Sequence, residues 1–311
     1  PRAVVPFAVV AEDDHGVASV VLVPRDGEPQ AFEASAARPE EYRLVLDVEA
    51  LGLEGTLTYA VEASDRRDLP GRGPQTARVE GRRVDIVEES EVQRLLADRQ
   101  LRLKEAFGAI RERQLRATES VDDLLAEPPG ADDPDLVAAA VAQNQVSMRL
   151  AREGRELCAI LDETILNRLD SGPSAPAVLE RRLDDWRAQG VDEAFEPAAW
   201  RRLAADYGEG RFGRLDVIGR LLDMAAVALE LSDELSPAAH ERLSEARSDP
   251  SVERLAQARE AQAAVQAGLD RLLDRMDEWE DYQEVLSLLQ SLIEEQQGLR
   301  VRTQESLGKE P

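Results

Sequence analysis

The sequence TARVEGRRVDIV (76–87) runs directly into EESEVQRLLADRQ (88–100), and the two stretches follow different periods. The first carries β-branched residues at short spacing, as strands do, whereas the second repeats apolar residues every three or four positions, as amphipathic helices do. An acidic helix start at 88–91 coincides with the change. We therefore predict a domain boundary within a few residues of Val87.

Before this boundary, β-rich runs recur at short spacing between turn residues such as Asp-Gly and Pro-Gly. The predicted strands are Val4 to Ala11, Ala18 to Val23, Gln30 to Ala34, Tyr42 to Val48, Thr56 to Ala63 and Thr76 to Val87. Six strands in about 85 residues are typical of an immunoglobulin-like or fibronectin-like β-sandwich. Residues 1–87 are therefore predicted to form such a sandwich.

After the boundary, a period near 3.5 predicts an elongated, coiled-coil-like α-helical bundle over 88–311, with a more compact helical insertion at about 172–248. The overall fold class is thus α+β and multidomain. The expected buried stripe of the first helix is Leu96, Leu103, Ile110, Ala117 and Leu124. That of the second is Val137, Val141, Met148, Cys158, Ile165 and Leu169.

The last helix is predicted to run from about 251 to 307 and to carry an apolar seam that shifts near Glu280. The interaction seam comprises Trp279, Tyr282, Leu286, Leu289 and Ile293. We expect it to pack against the first long helix or against a second chain. Glutamines occupy or border the seams, and they indicate either specific helix pairing or a loosely packed, wet seam: Gln100, Gln114, Gln283, Gln290 and Gln297.

Composition narrows the possible functions. The net charge is −25, and nucleic-acid affinity depends on Lys and Arg, so DNA, RNA and anionic membrane surfaces are poor partners. The single cysteine excludes an intramolecular disulfide. The two histidines have no partners at metal-ligand spacing, and no nucleophile motif is present. The sequence therefore predicts a protein without a cofactor that is not an enzyme.

Acidic residues in two predicted loops suggest one metal site. If the strands alternate in direction, Asp13 and Asp14 emerge at the same end of the sandwich as Asp65 and Asp68. Carboxylate oxygens gathered there could hold Ca²⁺. The alternative is that Asp14 and Asp65 form Asx turns with their own backbones. We favour the turns and expect no tight calcium binding.

A glycine pattern, Gly208-x-Gly210-x-x-Gly213, precedes a predicted helix and has arginines nearby. Such a pattern can cradle phosphate at a helix N-terminus. The dinucleotide motif requires a strand before it, however, and the pattern of 198–207 is helical. A glycine-rich turn between helices is therefore the favoured interpretation.

The strings AEDDHGVASVVLV (11–23) and LTYAVEASD (57–65), together with EVQRLLADRQ (91–100) and LIEEQQGLRVRT (292–303), carry a family resemblance. They resemble the extracytoplasmic region of large bacterial membrane-anchored proteins of unknown function. In those proteins an immunoglobulin-like module precedes long helices rich in Gln and Arg. The resemblance implies an extracytoplasmic position on the periplasmic side, a membrane anchor upstream of this sequence, and association with membrane complexes served by cytoplasmic ATPases.

Together these features favour a structural or protein-interaction module, with the sandwich as a spacer and the helical bundle as a docking surface for protein partners or for self-association. Two alternatives remain open. The 176–235 segment, with Trp186, Trp200 and Tyr207, could enclose a small-molecule or enzymatic pocket. The acidic loops could belong to a calcium-dependent adhesion module.

Overall fold

The structure, a computed structural model, describes residues 2–35, 38–66, 74–127, 130, 133–189 and 197–307. The strands are β1 (Val4–Val10), β2 (Val17–Pro24), β3 (Gln30–Ala31), β4 (Glu33–Ala34), β5 (Glu41–Asp47), β6 (Gly55–Asp65) and β7 (Thr76–Ile86). The helices are α1 (Glu89–Ala126), α2 (Pro134–Leu166), α3 (Ala175–Ala188), α4 (Pro197–Gly208), α5 (Val217–Glu230), α6 (Ser236–Ser248) and α7 (Val252–Leu307). A π-helical turn, Leu231–Leu235, joins α5 to α6. The fold is α+β, with antiparallel sheets followed by a mostly helical region.

The strands form two antiparallel sheets. One has the order β1-β5-β4 and the other β3-β2-β6-β7. The single strand predicted over Gln30 to Ala34 is wrong: two short strands lie there, and they belong to different sheets. The chain changes sheet at Phe32, whose side chain is buried. Its backbone N–H donates to Val20 O at 2.9 Å, so the crossing leaves that donor satisfied.

One hydrophobic cluster draws on both sheets. Val20 and Leu22 lie two positions apart on β2, so they point to the same face, and each is 1% exposed. They cluster with Tyr42 of β5. Across the two sheets, the rings of Phe7 and Tyr59 meet edge to face with centroids 5.3 Å apart. The two sheets therefore contribute side chains to one shared apolar cluster.

The change from strand to helix occurs where the sequence predicts it, between Ile86 and Glu89. Grouped by their mutual contacts, the residues form two compact units, and this division does not follow the boundary between strands and helices. The first comprises Pro1–Ala106 and Ser147–Glu234, and the second Phe107–Val146 and Leu235–Pro311. The first unit thus combines the sheets with helical segments. The predicted domains 1–87 and 88–311 stay a prediction.

The buried stripe of α1 matches the expectation, because Leu96, Leu103, Ile110, Ala117 and Leu124 are all at most 6% exposed. The stripe expected on α2 is wrong over its first half. Val137, Val141 and Met148 are exposed, and Leu136, Ala140 and Val146 are buried in their place. The buried face of this half of α2 alternates large apolar residues with alanines and with Gln143, so its apolar pattern is weaker than that of the exposed Val137, Val141 and Met148.

In the second unit, segments of α1, α2, α6 and α7 share one cluster that includes Val121, Leu136, Leu243 and Leu255. The N-terminal part of α7 is buried down to Met276 and Trp279, each 4% exposed. The bounds of α7 agree with the predicted helix at 251–307. Among the described residues, no helix is long and apolar enough to cross a membrane.

Candidate functional site

The loop before β2 and the end of β6 lie side by side, as expected for the acidic loops. Arg66 N–H donates to Gly16 O at 2.9 Å. Asp13 accepts the backbone N–H of His15 at 2.8 Å and thereby forms an Asx turn. Asp65 is buried and accepts the backbone N–H of Gln75 at 2.8 Å. Two of the four candidate carboxylates are therefore engaged with backbone groups.

Asp14 is exposed in the same loop, and Asp68 lies outside the described residues. Within the described ranges, no group of three or more His, Cys, Asp or Glu side chains is arranged to hold a metal ion. The expectation that these loops do not bind calcium tightly stays a prediction. The turn anticipated at Asp14 is made by Asp13, one position earlier.

The glycine pattern lies between α4 and α5, so a helix precedes it and the strand of a dinucleotide site is missing there. The start of α5 is already occupied by a carboxylate. Asp170 accepts the backbone N–H groups of Asp216 at 3.1 Å and Ile218 at 2.7 Å, and that of Gly172 at 2.6 Å. Such N–H groups are those that would bind a phosphate.

The two arginines of this loop are also paired. Arg211 contacts Asp206 and Glu209 at 2.8 Å, and Arg214 contacts Asp216 at 3.3 Å. An anion entering the loop would have to displace these carboxylates. These contacts agree with the favoured interpretation, a glycine-rich turn between helices.

Trp186 and Trp200, two aromatic residues of the predicted compact insertion at about 172–248, each pack against an arginine. Arg182 is 3% exposed, forms two hydrogen bonds to Asp162 at 2.9 and 3.2 Å, and stacks its guanidinium 4.6 Å from the ring centre of Trp200. Burial raises the pKa of Asp162, although Arg182 opposes the rise. Trp200 is only 1% exposed, so its ring is a core element.

The neighbouring Cys158 is not a candidate nucleophile. Burial raises the pKa of its thiol to about 12, and the nearby carboxylates of Asp162 and Asp233 add to the rise. A thiol with such a pKa stays protonated near neutral pH, and the thiolate is the reactive form. Cys158 is therefore a buried apolar residue, as its sequence context indicates.

Trp186 lies beside a second buried arginine. Arg43 of β5 pairs with Glu41 at 2.9 Å, stacks 4.8 Å from the ring centre of Trp186, and donates to the carbonyl oxygens of Trp186 and Gln189. A cavity of about 410 Å³ adjoins Arg43 and Trp186. The Arg43 guanidinium already binds carbonyl oxygens at the C-terminus of α3. Arg43 therefore holds the end of this helix in place.

Three glutamines form a buried polar layer in the second unit, and each is 0% exposed. Gln114 and Gln143 exchange amide hydrogen bonds of 3.2 and 3.1 Å. Gln262 donates to Gln143 at 3.1 Å and to Ala117 O at 3.3 Å. The sequence identified Gln114 as a seam residue but missed Gln143 and Gln262. We name these three residues the glutamine layer.

The predicted interaction seam on α7 divides into a buried and an exposed part. Trp279 is buried and its ring centre lies 5.7 Å from that of Tyr282, which is half-buried. Ile293 is 55% exposed. The side chains of Leu286 and Leu289 lie outside the described part of α7. The packing of this seam against α1 or a second chain stays a prediction.

A second apolar stripe lies on the neighbouring face of α7. Val285, Leu288 and Leu292 are 53%, 59% and 55% exposed, and Leu299 follows seven residues later on the same face. The spacing of three, four and seven places them in one line along the helix. We name these four residues the α7 stripe. Trp279, Leu286 and Ile293 repeat every seven residues on the adjacent face, and the seam predicted from the sequence follows that repeat instead.

Comparison of the chain with protein-family models, with curated proteins and with solved structures gives no match in any of the three.

Proposed function

We propose that this chain is a structural and protein-interaction module without catalytic activity of its own, and that it docks through the C-terminal part of α7. The observation that carries the proposal is the α7 stripe. Its first three residues each leave more than half of their surface in water. A line of large apolar side chains at helical spacing is the form of helix recognised by a groove or by another helix.

The sheets serve as the spacer, and we assign them to the immunoglobulin-like class. The strand orders β1-β5-β4 and β3-β2-β6-β7 correspond to B-E-D and C′-C-F-G of an immunoglobulin sandwich. Strand A of that fold has no counterpart among the described strands. The shared core of Leu22 and Tyr42 supports this assignment. The helices, with their heptad stripes, form the coiled-coil-like bundle of the same proposal.

In this proposal the module lies on the periplasmic side of a bacterial membrane and belongs to a membrane-anchored protein. Support comes from the family resemblance of 11–23, 57–65, 91–100 and 292–303. The acidic net charge of −25 agrees with protein partners and opposes binding to anionic lipid or nucleic acid.

The test is site-specific photocrosslinking in the cells that make the full-length protein. A photoreactive amino acid at Leu288 should give a discrete adduct. The matched control is Leu101 on α1, which is similarly exposed at 50%. If Leu288 yields no adduct above the Leu101 control, the docking role of α7 is wrong.

A companion measurement separates docking from folding. Leu288→Asp should leave the melting temperature unchanged, because the side chain is exposed. Trp279→Ala should lower it, since truncating a buried tryptophan typically costs about 3–5 kcal/mol. A Leu288→Asp variant that unfolds as readily as Trp279→Ala would show that the stripe belongs to the core.

A further inference from the structure

The α7 stripe has the geometry of one helix of a two-helix coiled coil. Val285, Leu288 and Leu292 follow the alternating three- and four-residue spacing that places side chains along a coiled-coil seam. The stripe also contains Glu295, three residues after Leu292, so it is not uniformly apolar. A partner helix must therefore place this carboxylate away from other carboxylates.

Charge along α7 is strongly uneven. Residues 277–284 include five acidic side chains and no basic one, whereas residues 298–303 include two arginines and no acidic one. Two copies of α7 in parallel would align the acidic segments and would bring each Glu295 against its own copy. Two antiparallel copies would align the acidic segment of each with the basic segment of the other.

We propose that the occupant of the α7 stripe is a second copy of this chain, paired antiparallel, an inference that rests on the proposed docking function. With the helices crossing midway between Leu288 and Leu292, Leu288 of each copy meets Leu292 of the other. Residue 281 then comes level with residue 299, which places acidic and basic segments together. In this register the apolar contact is made by the central leucines, while Val285 lies level with Glu295 and Leu299 with Asp281, so the charge pattern sets the orientation.

The size of the stripe sets the expected strength. From Val285 to Leu299 the helix rises about 21 Å at 1.5 Å per residue. An interface of that length falls below the standard size of about 1,600 Å², among weak and transient contacts. We therefore expect a dissociation constant on the order of tens of micromolar, as for other weak contacts.

Sedimentation velocity of the full chain at about 1–500 μM, which spans the expected weak affinity, is the first measurement. We expect a shift from the mass of one chain toward twice that mass. Leu288→Asp combined with Leu292→Asp should abolish the shift, and Leu101→Asp should leave it unchanged. A chain that remains monomeric over the whole range would overturn the proposal.

Orientation is tested by oxidation of cysteine variants. The variant carrying both Leu288→Cys and Leu292→Cys should form intermolecular disulfides, since the two positions adjoin in the antiparallel register. Val285→Cys should not, because its two copies lie about 15 Å apart along the axis. Efficient cross-linking of Val285→Cys would show a parallel pair and overturn the antiparallel arrangement.

The photocrosslinking experiment distinguishes the two proposals. An adduct at Leu288 made of two copies of this chain supports both. An adduct with a different protein, together with a monomeric chain in sedimentation, supports the docking function and overturns self-pairing.

Discussion

The two compact units bury polar groups in different ways. In the first unit several buried polar contacts join opposite charges, as in Arg182 with Asp162 and Arg43 with Glu41. In the second unit they join neutral amides, the glutamine layer of Gln114, Gln143 and Gln262. Arg182 and Asp162 lie on separate helices, and so do the three glutamines, so these contacts join separate elements of the chain.

Ion pairs and neutral amides differ in what they cost to bury and in what they contribute. A buried ion pair is expensive to desolvate and adds little net stability, but removing one partner is strongly destabilising. A buried amide layer carries no charge, so it costs less to bury and fixes one register by its hydrogen-bond geometry. The first unit should therefore depend on the ionisation of its carboxylates, and the second should not.

The largest expected effect is in the first unit. Arg182→Met removes the guanidinium that pairs with Asp162 and covers Trp200. Because Asp162 is then left buried without its cation, the free energy of unfolding should fall by about 3–5 kcal/mol. Urea denaturation at neutral pH measures the loss.

The matched control is Arg187→Met on the same helix. Arg187 and its partner Asp184 are both largely exposed, so this substitution should change stability by less than about 1 kcal/mol. Adding Asp162→Leu to Arg182→Met should recover most of the loss. If the double variant is no more stable than the single one, the ion pair is not the source of the effect.

The second prediction concerns the glutamine layer. Gln143→Leu conserves approximate size but leaves the amides of Gln114 and Gln262 without a main partner. The free energy of unfolding should fall by about 1–3 kcal/mol, the penalty for buried unsatisfied polar groups. Gln145→Leu, the same substitution at an exposed position two residues away, should change stability by less than about 0.5 kcal/mol.

Replacing all three glutamines by leucine tests whether the glutamine layer fixes the register of the helices. The triple variant should regain or exceed the original stability, since no buried amide is left unpaired. It should also lose uniqueness of packing, seen as faster amide hydrogen exchange or as several oligomeric species. A triple variant that is both stable and uniquely packed would show that the layer does not specify register.

Periodicity predicts most of the architecture of this chain. The switch at Ile86 and Glu89, the stripe from Leu96 to Leu124 and the bounds of α7 all follow from local patterns. The face of α2 does not, because alanines and Gln143 are buried where Val141 and Met148 are exposed. Burial there is decided by which neighbours surround the helix, and a pattern within one helix contains no information about them.

The candidate site was harder to predict for a related reason. The seven-residue repeat through Trp279 is the strongest local signal on α7, but Trp279 is buried within the chain. Val285, Leu288 and Leu292 form an equally regular line, and only the structure shows that nothing among the described residues covers most of their surface. Asp170 gave no signal at all, because its role depends on Ile218, 48 residues away.

The smallest expected effect tests the pH dependence of the first unit. Burial by itself would raise the pKa of Asp47, but hydrogen bonds from Ala50 N–H and from the Arg168 guanidinium lower it on balance below its ordinary value of 3.8. Since the unfolded chain then binds protons more readily, the stability contributed by Asp47 is present above pH 3.8 and is lost as the pH falls through the folded-state pKa.

Asp47→Asn should therefore be slightly less stable than the wild type at pH 7, and the difference should shrink as the pH falls below 3.8 and the carboxyl becomes protonated. Comparing the two proteins removes the contributions of the other acids. One of these is Asp162, whose raised pKa has the opposite effect on the pH dependence of stability. The loss caused by Gln143→Leu should remain the same at both pH values, because no charge is involved. A glutamine effect that faded in parallel with that of Asp47 would contradict the division into a charge-dependent and a charge-independent unit.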